Sequence, residues 1–428
     1  MNTVRQPGAD TDPLRVCLDA RLVDGVAGGI QQWVTSLAAG LGRLTDGDEE
    51  YLFLTYADHD AWLRPYLGSN SRILECPPTP HRSNRWKTYI ASFPIARRIY
   101  GQAKVLVRPN SFAIPQSDGL IECAGTQVMH FTTQRGFYTT VPTIYQPWDL
   151  QHRHLPHFFP PDDYATREIW YRGLCDQAEC VIVASSWTKH DLIEQYGIPS
   201  EKVYIVPVAP VADSYNIPIA DQITTFSLKH RLPKRFIFYP AQSWAHKNHL
   251  TLLDALALLR DQGMTVNLVL TGAINGFYRR IQQRIRALDL TTQVWHIGYV
   301  SPLEIQCLYH LCRCLVFPST FEGWGIPITE AFQIGCPVCC SNVTSLPAMV
   351  GNAALLFHPD RPTEIADTIR HLWTDDQLCQ DLIVRAKQRV DSLSLEHSAR
   401  MVRAHYRRLA GRSLDATERA LLAAPPLV

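Results

Sequence analysis

Short apolar runs rich in valine, isoleucine and aromatic residues alternate along this chain with longer stretches in which apolar residues recur every three or four positions. The second spacing buries one face of a helix, as with Ile365, Ile369 and Leu372. Alternation of this kind indicates parallel strands joined by crossover helices. Strands are predicted at 16–19, 51–55, 128–130, 143–146, 180–185, 202–206, 236–239, 266–271, 294–297, 314–317 and 338–340.

The alternation pauses between residues 209 and 233, where the sequence is irregular and contains proline. A chain of 428 residues is also long for a single core, since domains usually hold about 100–200 residues. We therefore predict an α/β protein of two doubly wound, Rossmann-like parallel-sheet domains that face each other across a cleft. The predicted parts are an N-terminal domain at 14–212, a linker at 213–232, a C-terminal domain at 233–395 and a last helix at 396–412 that packs back on the N-terminal domain.

Composition places the chain among ordinary globular proteins, with 46% hydrophobic and 19% charged residues. The formal net charge of +1 argues against a surface built to bind nucleic acid, so no such partner is expected. Residues 1–13 are polar and lack the basic start and apolar stretch of a signal peptide. No apolar run approaches the roughly 20 residues that cross a bilayer. The expected location is the cytoplasm.

The twelve cysteines are scattered, mostly within apolar stretches, and indicate small buried side chains in a reducing compartment. Cys336 and Cys339 form a C-x-x-C motif with Cys312 and Cys314 upstream, which would suit zinc. However, residues 338–340 have the pattern of a buried strand, and the second pair lacks the two-residue spacer. No metal site is therefore predicted.

Two turns that follow predicted strands suit a phosphate group. Gly28 and Gly29 precede a helix, and glycines let backbone N–H groups approach an anion at a helix N-terminus. A plain loop that needs a positive φ explains two glycines equally well. Lys247 lies just before a helix that begins near His249, where its charge opposes the helix dipole, so an anion is expected beside it. The alternative is an exposed lysine whose charge stays in water.

Two carboxylates flank a glycine-rich turn after the predicted strand at 314–317. Glu322 begins the turn, and Glu330 lies in the helix that follows it. Carboxylates accept pairs of hydrogen bonds from neighbouring sugar or ribose hydroxyls, and the glycines between them expose backbone N–H groups. Pro327 and Glu330 are also ordinary features of a helix start, so Glu330 could merely complement the helix dipole.

A strand of the first predicted domain ends in a polar loop at 145–154 that holds Trp148, Asp149, His152 and His154. The two histidines could be metal ligands. A loop that lines the cleft, or that simply caps the strand, is the favoured interpretation.

Together these segments resemble the retaining glycosyltransferases of family 4, which have the two-domain GT-B architecture. The resemblance runs from Arg15 to Arg407, and its most specific element is the Glu-x7-Glu pair of Glu322 and Glu330. The matching segments are 142–152, 184–188, 297–300, 318–323, 335–338 and 351–354.

The resemblance implies a donor site made mostly by the C-terminal domain. Glu322 is expected beside the donor sugar, Glu330 on the nucleoside ribose and Lys247 on the diphosphate. Gln242 stands where the family usually has an arginine, five residues before the lysine, which leaves one positive charge fewer. The further expected donor contacts are Gly28, Gly29, Gly323, Trp324, Gly325 and Ile326.

In the N-terminal domain the resemblance implies a catalytic role for Asp149, alongside Glu322 and Lys247. Trp148 and His152 are expected on the acceptor side. Trp148 replaces the histidine that often precedes the family's aspartate.

The implied activity is transfer of a hexose, with mannose as the favoured sugar, from a nucleotide-diphosphate donor to a hydroxyl of a glycan or lipid-linked acceptor. Anomeric configuration is retained, the leaving diphosphate helps to deprotonate the acceptor, and neither a metal nor another cofactor is required. A nucleotide-sugar epimerase and a pyridoxal-phosphate phosphorylase share the architecture, and a non-catalytic nucleotide-sugar-binding protein is a further alternative.

Residues 81–108 contain no aspartate or glutamate, while seven lysines and arginines are interleaved with aromatic residues. Such a mixture suits the anionic headgroup region of a membrane, where each cation contributes about 1 kcal/mol. Peripheral contact with an anionic membrane through this segment is therefore predicted. The alternatives are a solvated loop on the acceptor side and a groove for an anionic acceptor.

Overall fold

The computed structural model of this chain describes residues 12–25, 28–77, 112–210, 215, 217–391 and 393–423. The segment at 81–108 lies outside these described residues, and its membrane contact stays a prediction. Within the described ranges, no helix combines the length and the apolar character needed to cross a membrane.

Two parallel sheets organise the chain. The strands of the first are β1 Leu14–Asp19, β2 Glu49–Tyr56, β3 Ser71–Cys76, β4 Val128–Phe131, β5 Thr143–Tyr145, β6 Cys180–Val183 and β7 Val203–Ile205. Those of the second are β8 Ile237–Pro240, β9 Leu268–Thr271, β10 Val294–His296, β11 Cys314–Phe317, β12 Val338–Ser341 and β13 Leu355–Phe357. The sheet orders are β3-β2-β1-β4-β5-β6-β7 and β10-β9-β8-β11-β12-β13. We call the part of the chain around each sheet the first and the second domain.

Every pair of neighbouring strands runs parallel. Both faces of the first sheet are covered, since Val16 and Leu18 of β1 pack in one hydrophobic core and Cys17 packs in the other. The predicted fold class of two doubly wound parallel-sheet domains is therefore confirmed.

Helices connect the strands. They are α1 Gly29–Gly42, α2 Leu120–Cys123, α3 Gln151–His154, α4 Pro161–Gln177, α5 Ser186–Tyr196, α6 Ala220–Lys229, α7 His249–Asp261, α8 Tyr278–Ala287, α9 Pro302–Leu311, α10 Ile326–Ile334, α11 Leu346–Val350, α12 Pro362–Thr374, α13 Asp376–Asp391, α14 Leu395–Leu409 and α15 Ala416–Ala423.

Two strands, β3 and β13, were not predicted from the sequence. Each is an edge strand, and an edge strand is paired and covered on fewer sides than a central one. In β3 the exposed residues Arg72 and Glu75 interrupt any apolar run, and Arg72 donates to Glu50 of β2 at 2.5 Å. In β13 only three residues form the strand, which is too short for a periodic pattern.

The helix α14 packs on the first sheet, although it follows the second sheet in the sequence. Arg403 is fully buried there and forms an ion pair with Asp46, in the loop before β2. The hydroxyl of Tyr406 lies 2.7 Å from Nδ1 of His130 in β4. The first domain is therefore completed by residues from both sides of the second.

The chain passes between the domains twice, at neighbouring places. Before the second domain, the carbonyl of Pro207 accepts a hydrogen bond from the hydroxyl of Ser398 in α14 at 2.7 Å. The carbonyl of Ala209 accepts one from Ser36 of α1 at 3.4 Å. The outgoing and returning segments are thus held side by side against α1.

Candidate active site

Each sheet reverses its strand order once, between β1 and β4 in the first sheet and between β8 and β11 in the second. In doubly wound folds, ligands bind outside the carboxyl ends of the strands at such switch points. Gly28 ends the turn after β1 and Gly29 begins α1, the turn after β8 holds Lys247, and the turn after β11 holds Glu322. Three of the predicted segments therefore lie where the topology favours a ligand.

Lys247 and Glu322 form an ion pair, with 2.5 Å between Nζ and Oε1. They meet because β8 and β11 are adjacent strands, so the turns that follow them converge. The two side chains are 20% and 13% exposed, and the ammonium group lies 5.6 Å from the ring centre of Phe317. A cation and an anion thus stand side by side at the carboxyl edge of the second sheet.

Hydrogen bonds to main-chain carbonyls hold both turns. The hydroxyl of Tyr239 donates to the carbonyl of Lys247 at 2.8 Å. The hydroxyls of Thr344 and Ser345 donate to the carbonyl of Glu322 at 2.7 and 3.0 Å. The two charged side chains are therefore presented from fixed backbone, which favours a pre-organised site.

Asn248, between Lys247 and α7, has a left-handed backbone with φ of 57°. Its Nδ2 donates to the carbonyls of Pro318 and Pro359 at 3.0 and 2.8 Å. Asparagine tolerates this conformation better than most residues. The helix begins at His249, as predicted, and Lys247 stays outside it.

The N-terminus of α10 carries unsatisfied N–H groups. Its N-cap residue, Gly325, has φ of 105°, and no side chain caps the helix. In the described part of the chain, no acceptor contacts the N–H groups of residues 323–326. The indole of Trp324 is buried, so this residue offers a ligand its backbone. These N–H groups and the helix dipole favour an anion at this end.

Glu330 lies in the second turn of α10 and is only 1% exposed. Its Oε1 accepts a hydrogen bond from Nε2 of Gln32 in α1 at 2.9 Å, and its Oε2 accepts one from the hydroxyl of Tyr309 at 2.9 Å. Burial raises the pKa of the carboxyl to about 7. The alternative that Glu330 merely complements the helix start is wrong, because the residue lies beyond the first turn and contacts the other domain.

The glycine turn after β1 faces the second domain. Gly28 has φ of 55°, and a Cβ there would lie 3.4 Å from Nε2 of Gln242. A Cβ on Gly29 would lie 3.1 Å from Cδ1 of Ile326. The positive φ of Gly28 fits the explanation of a plain loop, and both glycines approach residues predicted to contact the donor. Their contact with a phosphate stays a prediction.

The loop after β5 meets the turn after β11. A Cβ on Gly323 would lie 2.5 Å from the carbonyl oxygen of Trp148 and 3.4 Å from Cβ of Asp149. Burial raises the pKa of Asp149, and the charge of Glu322 raises it further. The indole N–H of Trp148 donates to the carbonyl of Thr132 at 2.9 Å, which turns the ring into the first domain and away from an acceptor.

His152 does not face the cleft, which corrects its predicted position on the acceptor side. Its side chain is fully buried, and Nε2 lies 2.8 Å from Oε1 of Glu168 and 3.1 Å from the hydroxyl oxygen of Tyr196. Burial lowers the pKa of the imidazole to about 4. The short helix α3 directs this side chain toward α4, so an acceptor has no surface of it to contact.

His154, at the end of the same helix, does reach the interface between the domains. Its Nε2 lies 2.7 Å from Oδ1 of Asp191. Its ring centre lies 5.2 Å from that of Phe321, which directly precedes Glu322. The sequence offered His154 as a possible metal ligand and favoured a loop that lines the cleft or caps the strand, but it predicted no contact with Asp191 or Phe321.

A cavity of 740 Å³ lies between the domains, beside these turns. Residues of both domains line it, among them Arg135, Gln151 and His246. His246 directly precedes Lys247, and the backbone N–H of Gln151 donates to Oδ1 of Asp149 at 3.1 Å. The cavity therefore adjoins the charged residues of the candidate site.

The cysteines of the C-x-x-C motif do not converge. The sulfur of Cys336 lies 3.3 Å from that of Cys312, while Cys339 lies in β12 and donates to the carbonyl of Leu315. Among the described residues, no group of three or more His, Cys, Asp or Glu side chains could hold a metal ion.

Comparisons with known proteins identify the family to which the chain is similar. Two family models match the chain, Glycosyltransferase Family 4 at residues 27–209 and Glycosyl transferases group 1 at residues 221–389. O-antigen chain mannosyltransferase B of Escherichia coli is 26% identical over 243 residues, which are 56% of this chain and 64% of that protein. The chain thus aligns with less than two thirds of the length of the first curated relatives that it matches.

Solved structures share the fold. Sucrose-phosphate synthase from Thermosynechococcus elongatus superposes with a TM-score of 0.68 at 18% identity, covering 93% of this chain and 100% of that chain. Anabaena Alr3699/HepE in complex with UDP and glucose superposes with a TM-score of 0.65 at 16% identity, covering 92% and 99%. The two family models together span both domains, and the chain therefore belongs to the group 1 glycosyltransferases of family 4.

Proposed function

We propose that this protein transfers a hexose from a nucleotide-diphosphate sugar to a hydroxyl of a glycan or lipid-linked acceptor, with retention of anomeric configuration. The observation that carries the proposal is the ion pair of Lys247 and Glu322 beside the uncapped start of α10. A cation, an anion and unsatisfied N–H groups in one place suit a substrate that has both a diphosphate and a sugar.

The diphosphate is proposed to lie between Lys247, the N–H groups of residues 323–326 and the turn at Gly28 and Gly29. Lys247 then shares its positive charge between Glu322 and the phosphate oxygens. Gln242, which stands beside Gly28, is uncharged, so Lys247 and the start of α10 are the main sources of positive potential in this arrangement.

The ribose is proposed to contact Glu330. This carboxylate already accepts hydrogen bonds from Gln32 and Tyr309, and it is buried. We propose that the ribose hydroxyls replace Gln32 of the first domain as hydrogen-bond donors to Oε1 of Glu330.

In the proposed reaction, the bond between the anomeric carbon and the leaving phosphate oxygen breaks, and the diphosphate takes the electron pair. The acceptor hydroxyl attacks the same face, and its proton passes to the leaving phosphate oxygen. Glu322 stabilises positive charge on the anomeric carbon, while Lys247 and α10 stabilise the departing anion. Asp149, which lies next to Gly323, is proposed to assist from the acceptor side, and the scheme uses no metal or other cofactor.

Mannose is the proposed sugar, and the choice rests on the mannosyltransferases among the relatives. The test incubates the protein with GDP-, UDP- and dTDP-linked hexoses and a panel of glycan acceptors. We expect nucleoside diphosphate release that depends on the acceptor, and NMR should show the same anomeric configuration in donor and product. An epimerase would instead convert the donor sugar alone, and a binding protein would hold the donor without turnover, so either result contradicts the proposal.

Donor affinity is expected to rise between about pH 6 and pH 8. The Glu330 carboxyl has a pKa of about 7, so it changes from mostly protonated to mostly ionised over this range. The ionised group accepts hydrogen bonds from both ribose hydroxyls, whereas the protonated group has one acceptor fewer. We expect the affinity for the nucleotide sugar, measured by calorimetry, to increase by up to about tenfold.

The variant Glu330→Gln is the control, because it stays neutral at every pH and should bind the donor weakly without pH dependence. A wild-type affinity for the donor that stays constant over this pH range contradicts the role of Glu330.

The stability of the folded protein should change with pH in the direction opposite to the donor affinity. Since the folded pKa lies above the ordinary value of 4.5, ionisation of Glu330 lowers the free energy of unfolding as the pH rises from about 4.5 through 7.

A further inference from the structure

We propose that the cavity between the domains binds an acceptor saccharide that carries an anionic group, with phosphate or carboxylate oxygens held by Arg135 and Arg167. This inference rests on the proposed function, because it names the class of acceptor for the same site. Three features of the cavity carry it. They are two arginines that form no ion pair with another described residue, the aromatic walls and the position of the cavity.

Arg167 projects from the second turn of α4 into the cavity. Its guanidinium lies 4.8 Å from the ring centre of Phe159, and Nη1 donates to the hydroxyl of Tyr171 at 2.8 Å. No carboxylate of the described residues forms an ion pair with it, although Asp163 stands four residues earlier and lines the same cavity. Because arginine has five N–H donors, most of the guanidinium is left for a ligand.

Arg135, in the loop after β4, lines the same cavity. Its side chain is exposed and makes no hydrogen bond or ion pair within the described ranges. The described residues of the wall thus carry two guanidinium groups and the carboxylate of Asp163, and the charge of Arg167 also acts on the carboxylate of Asp149. Guanidinium groups bind carboxylate and phosphate oxygens through paired, parallel hydrogen bonds, which a neutral saccharide does not offer.

The rest of the wall suits a sugar ring. Trp244 is 51% exposed and Phe158 is 39% exposed, so both offer ring surface on which a sugar can pack. The volume of 740 Å³ lies within the range of about 300–1,000 Å³ for small-molecule sites. The aromatic residues of the wall come from both domains and are Phe158, Phe159, Trp170, Tyr171, Trp244 and Phe277.

The position of the cavity favours an acceptor over the donor. Glu330, Gly28 and the start of α10 do not line it, so it is separate from the proposed ribose and diphosphate contacts. It adjoins Lys247 through His246 and adjoins Asp149 through Gln151. A saccharide in this cavity can therefore present a hydroxyl to the reacting centre while its anionic group remains on the arginines.

The test measures binding of methyl α-mannoside, mannose 6-phosphate, glucuronate and inorganic phosphate to the full chain saturated with nucleoside diphosphate. Saturation keeps the phosphate probes out of the donor site. We expect an anionic saccharide to bind at least tenfold more tightly than methyl α-mannoside. Tighter binding of mannose 6-phosphate than of glucuronate identifies phosphate as the recognised group, and the reverse identifies carboxylate. Inorganic phosphate should compete with the anionic saccharide.

Arg167→Gln and Arg135→Gln should each remove most of this preference. If Arg167→Gln fails to fold, Arg135→Gln still tests the inference. The side chain of Arg135 makes no hydrogen bond or ion pair with the described residues, so its substitution should not destabilise the fold. Arg43→Gln is the matched control, since Arg43 is exposed at the end of α1, away from the cavity lining.

Equal binding of neutral and anionic saccharides, or a preference that survives in both variants, overturns the inference. It is also overturned if Arg167→Gln weakens the nucleoside diphosphate and leaves the saccharide preference unchanged, because Arg167 then serves the donor. None of these results contradicts the proposed function, which fails if the protein releases no nucleoside diphosphate in the presence of an acceptor.

Discussion

Glu322→Gln is expected to lower turnover by about 100- to 1,000-fold while donor affinity changes by less than about threefold. Glutamine keeps the shape of the side chain but removes the negative charge that stabilises the anomeric carbon in the transition state. The carboxylate lies 2.5 Å from Lys247, so the substitution also releases the ammonium group toward the diphosphate and should not weaken binding. Nucleoside diphosphate release gives the rate, and calorimetry gives the affinity.

The matched control is Glu396→Gln, which removes a surface carboxylate that is 59% exposed and paired with Arg400. This control should retain the wild-type rate. If Glu322 acted only on helix stability, its substitution would change the free energy of unfolding by about 0.3–1 kcal/mol and leave turnover nearly intact. An active Glu322→Gln protein would therefore remove this residue from the mechanism.

Lys247→Ala is expected to weaken binding of the nucleoside diphosphate by about 1.5–3 kcal/mol, which is roughly 10- to 150-fold. Two causes contribute. The diphosphate loses the cation closest to it, and the partly buried carboxylate of Glu322 loses its partner and repels the phosphates. Calorimetry measures the sum of the two effects.

The double variant Lys247→Ala with Glu322→Gln separates these causes. If the contact between Lys247 and phosphate dominates, the double variant binds as weakly as Lys247→Ala. If repulsion from Glu322 dominates, the double variant recovers most of the affinity. Lys229→Ala is the control, since Lys229 is 62% exposed and pairs with Glu304 on the surface. If Lys247→Ala binds the nucleoside diphosphate with unchanged affinity, the diphosphate does not contact Lys247 and binds elsewhere.

The sequence predicted the parts of the site that depend on local pattern. Strand ends followed by glycine turns and a helix start placed Lys247 and Glu322 at the carboxyl edge of the second sheet, where the structure has them. Their direct ion pair was not predicted, because it depends on β8 and β11 being neighbours, which strand succession alone does not tell. The sequence predicts where each strand lies in the chain, but tertiary packing decides which strands are neighbours in the sheet.

Contacts between segments that are distant in the sequence could not be predicted from it. Gln32 lies 298 residues from Glu330, and nothing in the polar face of α1 marks it as a partner. The direction of His152 was also missed. A polar residue after a strand suggested a cleft side chain, but the rings of Tyr164 and Tyr171 pack around His152 inside the first domain.

The return of α14 to the first sheet has a consequence for how the protein is made. Glu49 of β2 is buried, and its carboxylate pairs with Arg407 of α14 at 2.5 Å. While the chain is being synthesised, that partner does not yet exist, and a buried carboxylate without a cation is unfavourable. Domains synthesised first usually fold first. We expect the reverse order here, because the uninterrupted second domain can fold on the ribosome, whereas the first domain is complete only after α14 has been synthesised.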